Sequence, residues 1–329
     1  MHIIAAVQGQ HARIAATTTE TPAVEVHNLI KRYGELTAVD GISFEVTRGT
    51  CMGVLGPNGA GKTTTVEILE GLKQPDEGRV TVLGQTWHHH ARQLRQRIGV
   101  QLQQTEFQDK LTVFELLRLF RSFYDDGLDL DDVLTTVGLV EKRDAFVKTL
   151  SGGQKQRLSI GCAILNDPEM LFLDEPTTGL DPQARRRVWD VIESFKARGS
   201  TVMLTTHYME EAERLADQLI IVDRGKIIAR GTPASIIASL GAESVVDFSM
   251  QSGATARFTQ EELEQVNGVE HVRAEGERMA LTVTDTRNVI AALFDMSKAR
   301  GVRIDDLRTH RPTLEDVFVE LTGKQLRDE

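Results

Sequence analysis

The sequence predicts an α/β fold over its first two-thirds and a small α+β unit behind it. Three observations carry the prediction. The short, mostly apolar runs Cys51–Leu55, Met170–Leu173 and Thr201–His207 read as buried strands, the second running into Asp174-Glu175 and the third ending in His207. Helical patterns follow them, over Thr63–Leu72 and Ala184–Ala197. Beyond residue 243 the pattern changes to strand, helix, hairpin, helix, strand and helix. A chain of 329 residues, 40% of them apolar, is long enough for one large domain and a smaller one.

The leading residues, 1–22, contain Thr17-Thr18-Thr19 and a short apolar start without a basic region. They read as a flexible leader and a poor secretion signal. Val24–Leu29 alternates like a strand, and Lys31-Arg32-Tyr33-Gly34 reads as a turn. Tyr33 is either an aromatic outside a nucleotide pocket or one covering the core. Leu36–Val46 reads as two short strands around an Asp40-Gly41 turn.

Gly56-Pro57-Asn58-Gly59-Ala60-Gly61-Lys62-Thr63-Thr64 then follows the apolar run. This is G-x-x-x-x-G-K-[ST], a phosphate-binding loop. Its glycines let successive backbone N–H groups turn toward an anion, and the helix after them aims its positive end at the same place. Lys62 adds a full charge for the β- and γ-phosphates, and the Thr63 hydroxyl is a hard oxygen ligand suited to Mg²⁺.

Gly78–Gly84 reads as a further strand. His88-His89-His90 lacks the spacing of a metal site and reads as a solvated loop or helix start. Ile98–Gln104 is a strand running into glutamines, and residues 110–148 form a mostly helical insert with a second helix over Leu128–Val140. Leu150-Ser151-Gly152-Gly153-Gln154 opens the next helix. Ser151 there is an anion-directed N-cap, with Gln154 placed for a capping box.

Asp174-Glu175 falls at the carboxyl end of an apolar strand, where α/β sites lie. Asp174 suits Mg²⁺, and Glu175 suits polarising an attacking water. Gly179–Pro182 is a turn, His207 ends the following strand, and Asp223-Arg224-Gly225 turns a hairpin. Cys51 and Cys162 lie in apolar stretches and read as buried free thiols.

The composition excludes several classes. A net charge of -10 argues against a nucleic-acid partner. No apolar run is long enough to span a bilayer.

The phosphate loop, Leu150–Gln154, Asp174-Glu175, Gly179-Leu180-Asp181 and His207 together resemble the ABC transporter ATPases, in family order and spacing over residues 23–240. The resemblance implies a P-loop NTPase domain with an antiparallel β subdomain and a helical insert of about 104–150. It assigns Tyr33 to the adenine base. Gln103, rather than Gln101 or Gln104, becomes the glutamine that meets Mg²⁺ and links to the membrane partner. It implies a head-to-tail pair, as homodimer or heterodimer, with ATP held between the loop Gly56–Thr64 of one copy and Ser151, Gly152, Gly153 and Gln154 of the other. Glu175, His207 and Lys62 are the catalytic residues it implies. Thr63, Gln103 and Asp174 hold Mg²⁺, and Asp181 couples the two sites.

Residues 243–329 read as an accessory α+β domain of ferredoxin-like type. Pro312–Phe318 with Leu321-Thr322-Gly323 resembles the end of daunorubicin-resistance-type drug-export ATPases. An exporter subunit at the cytoplasmic face of the membrane follows, bound there through a separate transmembrane permease. An importer subunit and a non-transport ATPase acting on ribosomes or DNA remain as alternatives.

Overall fold

The structure is a computed structural model, and it describes residues 21–103, 107–250, 258–275 and 278–322. Residues 1–20 of the expected leader lie outside the described residues, as do Gln104, Gly276 and Gly323.

Strands β1 (Val24–Tyr33) and β2 (Leu36–Val46) form a hairpin. Strand β3 (Cys51–Leu55), helix α1 (Lys62–Leu69) and strand β4 (Glu77–Val82) follow, and β4 closes an antiparallel sheet of order β2-β1-β4. The turn expected at Asp40-Gly41 is not where the chain reverses. Leu29 faces Ile42 and Ile30 faces Asp40, so Gly41 is the extra residue of a bulge, at φ +72°. Both Asp-Gly readings need a glycine at positive φ, which is why the pattern misled. The chain actually reverses between Tyr33 and Leu36.

Helix α2 (Trp87–Arg97) starts just ahead of the three histidines, as one of the two readings expected, and leads into β5 (Ile98–Gln101). The insert holds α3 (Val113–Arg121) and α4 (Leu130–Thr136), each shorter than its apolar pattern, with 3₁₀ turns between α4 and the next helix. A Thr112–Glu115 capping box opens α3. Next come α5 (Gly152–Ala163), β6 (Met170–Asp174), α6 (Pro182–Ala197), β7 (Thr201–Thr206), α7 (Met209–Leu215), β8 (Gln218–Asp223), β9 (Lys226–Gly231) and α8 (Pro233–Ala238). The central sheet has the order β5-β6-β7-β3-β8-β9, parallel except for β9. Its middle strands are buried on both faces, which explains their unbroken apolar runs.

Because β6, β7 and β3 are neighbours, the phosphate loop, Asp174-Glu175 and His207 all leave the same end of one sheet. One apolar cluster joins the antiparallel sheet to that sheet through Val26, Phe44, Val54 and Phe172. A second joins the insert to it through Leu117, Val133, Ile160 and Leu171.

The tail contains β10 (Ser244–Met250), α9 (Gln260–Glu264), β11 (Val269–Glu275), β12 (Arg278–Val283), α10 (Thr286–Arg300), β13 (Ile304–His310) and α11 (Leu314–Thr322). Its sheet runs β11-β12-β10-β13, antiparallel throughout. That order is the ferredoxin-like arrangement expected from the sequence. Helix α11 follows this unit and packs elsewhere. Leu314, Val317 and Phe318 are buried with Leu55, Ala212, Leu219 and Ile236, against α7 and α8. The Leu314 N–H donates to Glu213 of α7 at 3.1 Å.

Candidate active site

The phosphate loop begins where β3 ends. At Gly56 any side chain would run into the Val222 carbonyl, 2.2 Å from where its Cβ would stand. Gly61, at φ +101°, is the N-cap of α1 and offers no side chain to the helix's first N–H groups. Those donors therefore face the cavity, which is the condition for binding a phosphate there. The cavity holds about 390 Å³ and is lined by Tyr33, Leu36, Ala38, Asn58, Gly59, Ala60, Gly61, Lys62, Thr63, Thr64, Gln103 and Glu175.

Lys62 is 4% exposed and folds back over the loop, its Nζ donating to the carbonyls of Gly56 at 2.8 Å and Pro57 at 3.2 Å. It also lies 3.4 Å from Glu175 Oε1. Burial pulls its ammonium below the usual lysine range, and Glu175 works against that shift.

Glu175 is the hub. Its backbone is held at φ +48°, unusual for a residue with a side chain, by its N–H donating to Thr205 Oγ1 at 2.9 Å. Its Oε2 accepts from Gln103 Nε2 at 3.2 Å and Thr178 Oγ1 at 3.1 Å, and lies 3.4 Å from His207 Nδ1. His207 first, then Lys62 and Thr178, hold its carboxyl down at about 2, against the effect of burial. Asp174 behaves oppositely: burial pushes it above the usual carboxylate range, although the Thr205 and Thr63 hydroxyls donate to it. Thr63 Oγ1 is 3.4 Å from Asp174 Oδ1. This set of hard oxygen donors fits Mg²⁺.

Tyr33 stands at the mouth of the cavity, 42% exposed, with Lys31 and Lys73 over its ring at 5.6 and 5.2 Å. Of the two described glutamines, Gln101 and Gln103, it is Gln103 that reaches the cavity. Gln101 is buried at the end of β5 and donates to Leu102 O at 2.5 Å and Asp174 O at 3.5 Å, so it braces the acidic strand end.

Ser151–Gln154 and Asp181 do not line this cavity. Ser151 caps α5: its Oγ accepts from Gln154 N at 3.3 Å, and Gln154 Oε1 accepts from Ser151 N at 2.9 Å. Asp181 caps α6, accepting from Gln183 N at 3.0 Å and Ala184 N at 2.9 Å. The two capped ends are adjacent, because a Cβ on Gly153 would sit 3.2 Å from Ala184 Cβ and 3.6 Å from Leu180 Cδ2.

Sequence reasoning missed two contributors. Thr205, which ties Asp174 to the Glu175 backbone, reads as an ordinary strand residue. Glu70, at the far end of α1, is 4% exposed and pushed up to about 8 by burial, then by Asp174 and Glu67. A glutamate closing a helical pattern carries no signal of its own burial.

Comparison with known proteins fits this geometry. Residues 39–178 match the ABC transporter family, and residues 231–322 match the C-terminal domain of DrrA1-3-like ATP-binding proteins. The chain is 42% identical over 317 residues to Nod factor export ATP-binding protein I of Ralstonia nicotianae, covering 94% of this chain and 96% of that one. It is 37% identical over 310 residues to daunorubicin resistance ATP-binding protein DrrA3 of Streptomyces coeruleorubidus, covering 93% and 97%. Among solved structures, an ATP-binding subunit of an ABC transporter superposes with a TM-score of 0.61 at 30% identity, covering 67% of this chain and 93% of that one. An ATP-binding cassette in its ADP conformation superposes at 0.57 with 27% identity, covering 65% and 92%. A chain with this loop, this acidic strand end and end-to-end relatives of this kind belongs to the ABC transporter family of ATPases, with a DrrA1-3-like C-terminal domain.

Proposed function

We propose that this chain is the ATP-hydrolysing subunit of an exporter, working as a head-to-tail pair on a separate transmembrane permease. It acts at the cytoplasmic face of the membrane. Among the described residues no helix is long and apolar enough to cross a bilayer, so the permease supplies the path. The cargo is a drug-like, antibiotic or lipidic molecule. The export name of one relative and the drug-resistance name of the other support this direction over import. The permease contacts Gln103 and the helical insert.

The observation that carries the reading is the convergence of Lys62, His207, Gln103 and Thr178 on Glu175 beside a phosphate loop. ATP enters with its adenine against Tyr33 and its phosphates against the open N–H groups of Gly56–Thr64. Lys62 exchanges the Gly56 and Pro57 carbonyls for phosphate oxygens. Glu175 thereby loses one of the charges that hold its carboxyl near 2, becomes a better proton acceptor and orients the attacking water. His207 turns to the γ-phosphate. Thr63, Asp174 and Gln103 would hold Mg²⁺, which when bound offsets phosphate charge.

Ser151–Gln154 are exposed to partly buried, outside their own chain's cavity, and so are free to meet the γ-phosphate of a second copy. Asp181, next to them, couples the two sites. Two triphosphates then hold the pair shut, and hydrolysis releases it.

The test is sedimentation of Glu175→Gln protein with ATP and Mg²⁺. A dimer that forms with ATP and dissociates with ADP is expected. Protein that stays monomeric with ATP, even with its permease supplied, overturns the paired mechanism.

A further inference from the structure

His207 follows the last residue of β7, and the turn that aims it is braced from α6 and α7. Thr206, the end of β7, accepts from the Tyr208 N–H through its Oγ1 at 2.9 Å, so this hydroxyl closes the turn around His207. The Tyr208 ring lies 4.1 Å from the His207 ring, centroid to centroid. The Arg185 guanidinium of α6 stands 4.0 Å from the Tyr208 ring centroid on its face.

Behind this turn sits Glu211, in the first turn of α7 and wholly buried. Its Oε1 accepts from the indole Nε1 of Trp189 of α6 at 2.8 Å. Burial pushes its carboxyl above the usual carboxylate range, while Thr206, Trp189 and Thr177, and the charge of Arg185, work against that shift. Thr177, between Glu175 and Asp181, is itself wholly buried. Glu211 therefore stands where the strand end before His207, the segment after Glu175 and helix α6 meet. As packing alone, two apolar side chains of the same shape would serve nearly as well. What the polar pair adds is a fixed distance and direction between α6 and α7.

We propose that Glu211 is a positioning residue for His207: pinned to Trp189, it fixes the end of β7 at Thr206 and so sets where the imidazole stands beside Glu175. This rests on the reading of His207 as the γ-phosphate contact. The line of contacts continues to Asp181, which caps the helix that carries Arg185 and Trp189. A contact made at Asp181 by a second copy therefore reaches His207 along α6 without passing through the phosphate loop.

The experiment measures ATP hydrolysis by the full chain with Mg²⁺ and reads kcat and KM separately. Glu211→Leu keeps the volume and removes the acceptor. It lowers kcat roughly 10-fold or more, as a misplaced reacting group does, while KM for ATP and affinity for ADP stay unchanged. Glu211→Gln, which keeps an oxygen for Trp189, holds most of the rate. Trp189→Phe removes the donor from the other side and lowers kcat in the same way, which carries the test if Glu211→Leu does not fold. In a His207→Ala background neither substitution slows the residual rate further, because the group they position is already gone. A fall by the same factor with and without His207, a kcat unchanged by both substitutions, or Glu211→Gln as slow as Glu211→Leu overturns the assignment. A rate unaltered by His207→Ala alone overturns instead the γ-phosphate reading of His207, and the assignment with it.

Discussion

Two helices in this chain begin where an anion is expected, and they begin differently. At α1 the cap is Gly61, with no side chain, and the first N–H groups stay open within the chain's own cavity. At α5 the cap is Ser151, and a reciprocal bond with Gln154 satisfies the N–H groups of Ser151 and Gln154 before any ligand arrives, leaving those of Gly152 and Gly153 open. The open end keeps its donors for a ligand, while the Lys62 ammonium beside it is occupied by the loop carbonyls of Gly56 and Pro57. The capped end is partly satisfied from within and is exposed at Ser151 and Gly152. Such an end suits contact made only part of the time, because part of it is satisfied from within and water can serve the rest when the partner is absent.

The largest effect falls between the two ends. Glu175→Gln should lower hydrolysis by roughly 10²–10⁴, the range for a positioned acid–base group, with ATP binding retained. Phosphate release beside a nucleotide titration measures both, and an unchanged rate would remove Glu175 from its role. Lys62→Ala attacks the open end. ATP affinity should fall roughly 10- to 100-fold, from the loss of one charge-assisted contact, as read by calorimetry.

Ser151→Ala attacks the capped end. The folded chain should lose about 1 kcal/mol, a typical N-cap deletion, while ADP affinity stays unchanged and ATP-driven pairing weakens. A change in ADP affinity would show that Ser151 serves its own cavity after all.

The smallest effect concerns the far end of α1. Glu70 keeps its proton to about 8, above the ordinary 4.5. A carboxyl raised in the folded state stabilises it most below the unfolded value and loses that contribution as pH rises toward 8. Thermal melting between pH 5 and 8 should therefore decline in the parent chain and flatten in Glu70→Gln. Parallel curves would mean that Glu70 ionises normally.

Much of this was readable in the sequence because the site is built from contiguous pieces. Gly56–Thr64, Asp174-Glu175 and Ser151–Gln154 each carry their chemistry within a few residues, and their strands are apolar enough to be found by pattern. What was hidden depends on neighbours distant in the chain. Asp40-Gly41 reads alike as a turn or a bulge until Leu29 and Ile30 are set beside it. The choice of Gln103 over Gln101 needed family spacing, since both glutamines follow the same strand. In the folded chain Gln103 reaches Glu175, while Gln101 meets the Asp174 carbonyl. Thr205 and Glu70 gain their importance from Asp174, which no local pattern links to them. Helix α7 was missed because seven residues hold fewer than two full turns of periodicity.

The placement of α11 ties the two ends of the fold together mechanically. Its Phe318 shares an apolar cluster with Leu55, the residue immediately before the phosphate loop. A segment late in the chain therefore completes the floor beneath the phosphate loop near its start. Cassette and tail should melt in a single cooperative transition, and a chain cut short before Leu314 would expose a greasy socket under its own ATP site.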